Sequence, residues 1–293
     1  MAVRRRNPSK RPAWLKTRLP GLGRYGETAR LLRGLGLHTV CVEAACPNLG
    51  ECWGRGAATL LILGSQCTRA CRFCNVHPGR PDPLDPSEPE RVASAIRKLG
   101  LKYAVLTSVT RDDLPDGGAA HWAAVIRQVR QDCPESLVEV LVPDFGGRPE
   151  NLEKVFAAAP HVFAHNVETV RSQSPRIRPQ ADYERSLRVL ELAGRAGLVT
   201  KSGLMVGLGE RDDEVLEALE DLRRVGVRLL TIGQYLQPSV RHEPVHRYVP
   251  PETFEEYRRV ALGMGFEYVA SAPLVRSSYH ADEAYEAVRR LIV

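Results

Sequence analysis

The chain has 293 residues, 43% of them hydrophobic and 26% charged; that is enough to bury a full core, and it excludes a disordered, collagenous or disulfide-stapled miniature. No apolar run approaches the roughly 20 residues of a membrane span, so no bilayer crossing is expected. The net charge of +6 is uneven, because residues 1–35 hold ten Lys or Arg against the single Glu27, a net of +9 that leaves −3 for the remainder.

In chain order, the basic leader comes first, with Arg4, Arg5, Arg6, Lys10 and Arg11 at its head. Such a leader is ordinarily solvated, and docking of an acidic protein or a nucleic acid is the less expected use. It has no apolar stretch behind it, so it is not a secretory signal, and a reducing cytoplasm is the expected compartment. Gly21, Gly23 and Gly26 satisfy G-x-G-x-x-G, but they follow Pro20 and not a strand, so the stretch reads as a flexible turn and not as a dinucleotide site.

Six of the seven cysteines lie within 34 consecutive residues, which points to metal ligation and away from paired disulfides. They form two sets of three, Cys41-x4-Cys46-x5-Cys52 and Cys67-x3-Cys71-x2-Cys74. The first set follows no strand signal and reads as part of an extension, residues 1–57. After it, short β-branched runs at residues 59–63, 103–108, 137–142, 162–165, 200–206 and 227–232 alternate with amphipathic stretches at 87–99, 118–132, 149–158, 182–196 and 212–225. Ser87, with Glu90 three residues on, has the capping-box form, and Gly100, Gly197 and Gly226 stand at helix C-caps. About six βα units imply a parallel sheet with right-handed crossovers. They favour an α/β partial (β/α)6 TIM-like barrel over residues 58–270, with the cluster-binding extension before it and a C-terminal segment, 271–293, after it; an open doubly wound sheet is the alternative.

The second cysteine set begins just after the first strand, where a βα loop of such a fold faces the active site. Three thiolates within eight residues suit one iron-sulfur cubane and leave one iron open, whereas a closed zinc site wants four ligands and only a crowded His77 could supply the fourth. His242-Glu243-Pro244-Val245-His246 matches the zinc-protease pattern literally, but Pro244 breaks the helix that pattern needs. Cys133, His121 and His161 read as packing residues.

Cys67, Cys71 and Cys74, with Phe73 before the last of them, resemble the radical S-adenosylmethionine superfamily. Residues 38–53, which carry the first cysteine set, resemble the lipoyl synthase family within it, and so do residues 111–118, 165–170, 203–210, 233–238 and Arg276-Ser277-Ser278-Tyr279. One departure is Val42, where that family usually has an acid. The resemblance implies two 4Fe-4S clusters and S-adenosylmethionine, whose amine and carboxylate chelate the open iron. It implies radical generation at Cys67, Cys71 and Cys74, and sulfur donation from a cluster on Cys41, Cys46, Cys52 and Ser277. It points to Thr107, Ser108, Asn166 and Glu168 for cofactor contacts, and to Arg276 and the 111–113 group, more loosely, for anchoring substrate or a motif loop. The implied reaction inserts two sulfur atoms at C6 and C8 of a protein-bound octanoyl chain.

The implied partners are an octanoylated lipoyl carrier domain or glycine-cleavage H protein, an electron donor such as ferredoxin or flavodoxin, and iron-sulfur assembly proteins, with neither nucleic acid nor membrane. The rivals are a two-cluster electron carrier, which would fill every cluster position with cysteine, a basic nucleic-acid-binding metalloprotein, and an RNA methylthiotransferase, which would bring an RNA-binding tail beyond Tyr279.

Overall fold

A computed structural model describes residues 11–16, 22–279 and 281–292; Arg4, Arg5, Arg6 and Lys10 of the basic leader lie outside the described residues. The N-terminal part runs α1 (Leu22–Gly34), β1 (His38–Thr39), α2 (Val40–Glu43) and α3 (Leu49–Gly54). Then come β2 (Thr59–Ile62), β3 (Gln66–Cys67), β4 (His77–Pro78), α4 (Glu88–Leu99), β5 (Tyr103–Ser108), α5 (Ala119–Asp132), β6 (Leu137–Leu141), α6 (Pro149–Phe156), β7 (Val162–Ala164), α7 (Ser174–Ile177), α8 (Tyr183–Arg195), β8 (Val199–Val206), α9 (Asp212–Arg224), β9 (Leu229–Gln234), α10 (Pro251–Gly263), β10 (Tyr268–Ser271) and α11 (Ala281–Ile292).

One eight-stranded sheet has the order β1-β2-β5-β6-β7-β8-β9-β10. Every pairing in it is parallel except β1 with β2. Its strands read as apolar runs because helices cover one face and the barrel interior covers the other. Trp122 on α5 and Val92 and Ile96 on α4 are fully buried against it. All six expected strands are present in order, and the two end strands, β1 and β10, do not pair with each other, so the barrel is partial. A seventh parallel strand, β10, joins β9; its four residues, Tyr-Val-Ala-Ser, of which only Val269 is buried, carry too little apolar pattern to announce a strand.

Three other expectations are corrected. Cys41 does follow a strand, because His38 and Thr39 pair antiparallel with Leu61 and Leu60 and extend the sheet. The glycine-rich stretch is no turn: residues 22–26 open helix α1, held by Tyr25 against Trp53 at 5.4 Å and by buried Thr28, whose hydroxyl reaches the Trp53 carbonyl. Ser87 does not cap α4; its hydroxyl turns back to Asp85, and Glu88 instead accepts from the Leu63 N–H at 3.0 Å and meets His121 at 2.7 Å.

The C-terminal helix α11 closes the end of the barrel opposite the cysteine loops. Its Val288 is fully buried among Tyr103, Val162, Val199 and Leu229, all at the N-terminal ends of strands. No helix among the described residues is long and apolar enough to cross a membrane.

Candidate active site

The loop from Cys67 to Cys74 leaves the C-terminal end of β2, and a two-residue parallel ladder of β3 with β4 pinches its base. The backbone N–H groups of Arg69 and Thr110 point at the Cys67 sulfur, at 3.4 and 3.3 Å, as donors do at iron-sulfur ligands. Cys67, Cys71 and Cys74 are close enough that each later thiolate is raised by the charge of the earlier ones. Burial is the main cause: it pushes the Cys71 thiol up to about 11 and the Cys74 thiol to about 12. Such thiols give up their protons when a cation replaces them, and soft donors of this kind fit iron.

From outside, the segment between β9 and α10 clamps this loop. Glu243 donates its N–H to the Arg72 carbonyl at 2.9 Å, and His242 Nε2 meets the Cys74 carbonyl at 3.1 Å. From the protease-like pattern, His242 and Glu243 therefore serve the cysteine loop, while His246 pairs with the Glu243 carboxylate at 2.9 Å.

From inside, Arg69 anchors the loop with a double fork. Its guanidinium donates to Asp112 at 2.8 and 2.9 Å and to Asp144 at 3.0 and 2.7 Å. The Asp144 side chain has no exposed surface, and the Arg69 hydrogen bonds hold its carboxyl well below the ordinary range against the opposing effect of burial. Removing the cation leaves Asp144 with the Arg185 guanidinium and the Gly146 N–H. Arg69→Met is expected to cost about 3–5 kcal/mol, the usual effect of breaking a buried pair, and to lower Tm by roughly 10 °C. Thermal unfolding measures it; a change below about 1 kcal/mol, typical of an exposed pair, would show that the fork contributes no more than a surface contact.

Of the four residues expected to touch the cofactor, Glu168 stands beside the second cysteine set, and Asn166 neighbours Glu168. Glu168 acts on both Cys71 and Cys74. It has φ +65°, a strained conformation for a non-glycine residue that collects at functional sites, and it is held there by hydrogen bonds to Gly203 and Met205 of β8. Burial raises its carboxyl, opposed by Arg178 and Asn166. Asn166 donates from Nδ2 to Ser277 at 2.7 Å, while its Oδ1 is buried without a partner among the described residues. Gly203 leaves room for that oxygen: a Cβ there would lie 2.4 Å from Thr231 Oγ1 and 3.1 Å from Asn166 Oδ1. Thr107 and Ser108 sit at the C-terminal end of β5 with their hydroxyls in other hydrogen bonds. The Thr107 hydroxyl is spent on the Leu141 carbonyl and Ser108 accepts from Trp122.

The first cysteine set lines a separate cavity. Cys41 sits on α2, whose N-cap Thr39 accepts from Val42, Cys52 sits on α3, and Cys46 hangs between them with its N–H on the Cys41 carbonyl. Burial raises the Cys41 thiol, and it pushes Cys52 up to about 12 with help from Cys41 and Cys46. The cavity, about 460 Å³ including its open mouth, is also walled by Thr59, Tyr103, Arg276, Ser278 and Tyr279.

Here the lining of the cavity differs by one residue from the ligand that the resemblance implies. Ser278, not Ser277, lines the cavity with Cys41, Cys46 and Cys52, and its Oγ accepts from Thr59 at 2.6 Å. Ser277 turns the other way, onto Asn166. The segment carrying both serines is fastened along its length: the Pro273 carbonyl to Gln234, the Leu274 carbonyl to Asn48 at 2.7 Å, the Ser277 carbonyl to Lys201 at 2.7 Å, and Tyr279 to Glu51.

Comparison with known proteins agrees with this geometry. The Radical SAM superfamily model matches residues 61–222. A curated protein of Nitratidesulfovibrio vulgaris named lipoyl synthase is 55% identical over 96% of this chain and 95% of its own. Namesakes from Parabacteroides distasonis and Thermus thermophilus are 53% and 54% identical over 94% and 96% of this chain, covering 98% and 88% of their own. This chain belongs to the lipoyl synthase family. Among solved structures, the FeFe-hydrogenase maturase HydG (15% identical, TM-score 0.56, covering 80% of this chain and 62% of that chain) and methylornithine synthase (15%, TM-score 0.51, covering 80% of each) share the fold of this lipoyl synthase family member.

The sequence led to both cysteine sets through their spacing, but not to Arg69, to Ser278 as the serine lining the cavity, or to the ion pair of Lys201 with Glu139. One signal for that pair was available. A Lys inside Val199–Val206 and a Glu inside Leu137–Leu141 are charges in the middle of fully covered strands, and such charges must point inward and be paired. The sequence could not say that they pair with each other.

Proposed function

We infer that the protein completes the lipoyl group by inserting two sulfur atoms at C6 and C8 of an octanoyl chain attached to a lysine of a carrier protein. The observation carrying this reading is the arrangement of two cysteine triads, each short of a fourth cysteine, on either side of one C-terminal segment. When bound, the clusters and S-adenosylmethionine supply a 5′-deoxyadenosyl radical at one site and sulfur at the other.

The chain's own residues divide that work. Cys67, Cys71 and Cys74 would hold the cluster that meets the cofactor, with Asn166 and Glu168 offering an acceptor and a carboxylate to its hydroxyls. Cys41, Cys46 and Cys52 would hold the second cluster. For its fourth ligand we take Ser278 in place of Ser277, supported by the lining of the cavity; an oxygen donor is harder than thiolate and more readily released from iron, which suits a cluster meant to be opened.

Residues 1–57, 58–270 and 271–293 would then be the auxiliary-cluster extension, the barrel and the segment closing both sites. Within the carrier class, a lipoyl domain or the glycine-cleavage H protein is the proposed substrate. Ferredoxin or flavodoxin is the proposed reductant, iron-sulfur assembly proteins the proposed suppliers, and the cytoplasm the proposed compartment.

The test is mass spectrometry of an octanoylated carrier after anaerobic incubation with the reconstituted protein, reductant and S-adenosylmethionine. Two sulfurs gained, with two 5′-deoxyadenosine released per carrier, is the expected result. Cofactor cleavage with no sulfur on the carrier would refute the reaction assigned here.

A further inference from the structure

We propose that Ser277 is a positioning residue for the cofactor site: it orients the Asn166 amide, and its own backbone is set by a buried Lys201–Glu139 pair. The inference rests on the reading that Asn166 contacts S-adenosylmethionine.

Glu139 is wholly buried and Lys201 is 3% exposed. Lys201 Nζ donates to both Glu139 oxygens at 2.8 Å and to the Ser277 carbonyl at 2.7 Å, and Tyr103 donates its hydroxyl to Glu139 at 2.5 Å. The network spans β5, β6 and β8, so the Ser277 backbone is tied to three adjacent or near-adjacent strands of the barrel. With the carbonyl held there, the Ser277 hydroxyl meets Asn166 and the next side chain, Ser278, faces the other cavity.

An amide has a donor end and an acceptor end, and turning it over exchanges them. Ser277 occupies the donor end of Asn166, which leaves Oδ1 as the free face, buried and without a partner among the described residues. A buried acceptor of that kind is costly unless a ligand donor reaches it, and hydroxyls of a ribose are donors of the right class. Without the Ser277 hydroxyl the donor end keeps only its interaction with the Glu168 carboxylate, and the oxygen is held outward less firmly.

The experiment uses protein carrying both clusters. Binding of S-adenosylmethionine is followed by equilibrium dialysis and by its perturbation of the electron paramagnetic resonance signal of the reduced first cluster, for wild type, Ser277→Ala, Ser277→Thr, Asn166→Ala and the Ala double variant. Ser277→Ala is expected to weaken binding about tenfold, a change of about 1.4 kcal/mol, with iron content unchanged and with Ser277→Thr recovering most of the loss. Asn166→Ala should weaken binding at least as much, and the double variant no further, because coupled residues are not additive. Full binding by Ser277→Ala beside weak binding by Asn166→Ala would overturn the inference while sparing the role of Asn166, as would strictly additive losses. Full binding by Asn166→Ala would overturn both. Loss of iron from Ser277→Ala would also overturn the proposal, because it would make this serine a cluster ligand.

Discussion

Cys71→Ala is expected to abolish formation of 5′-deoxyadenosine and of product together, with iron and sulfide falling by about half as one of two clusters is lost. Cys71 is the middle member of its loop: it feels Cys67 and Glu168 on one side and Arg178 and Arg69 on the other. Its removal leaves Cys67 and Cys74 at the two ends, too few thiolates to hold a cubane against exchange. The scaffold should survive. The loop is fixed by protein contacts that do not pass through the Cys71 sulfur, namely the Arg69 fork, the β3–β4 ladder and the clamp from Glu243 and His242. Circular dichroism should therefore match wild type while iron analysis and chromatography of the nucleoside show the loss. Persistent 5′-deoxyadenosine from Cys71→Ala would mean that the radical site lies elsewhere.

Ser278→Ala is expected to do the opposite at the other site. Cofactor cleavage continues while lipoyl product disappears, because the second cluster has lost its oxygen ligand and the first has lost nothing. The argument turns on direction. In a segment whose alternate groups are bound to opposite walls, Ser277 and Ser278 cannot serve the same cavity, and the contact with Thr59 puts Ser278 on the side of Cys41, Cys46 and Cys52. Ser277→Ala should keep both clusters and regain product at high cofactor concentration, whereas no cofactor concentration rescues Ser278→Ala. Product analysis across a cofactor titration separates the two, and the reverse pattern would return the ligand to Ser277.

The parts legible in the sequence are those whose physics is local. Cysteine spacing within two short stretches named two cluster sites. Period-two and helical patterns named six strands and their helices, because covered strands are apolar throughout and surface helices are striped. Where local signals misled, a longer-range contact had won. Gly23 and Gly26 entered a helix because Tyr25 and Thr28 dock on Trp53. Ser87 left its cap for Asp85. The strand β10 exists because β9 offers it an edge.

By itself, then, the order of residues settled the parallel barrel, the two thiolate triads and the family. Tertiary structure alone decided which of two adjacent serines faces which cavity, that Lys201 neutralises Glu139 across the barrel interior, and that Arg69 joins two carboxylates from different loops. Two neighbouring serines in one turn carry the same chemistry and point in opposite directions, so only partners far away in the chain, Thr59 and Asn166 in this case, assign each its task.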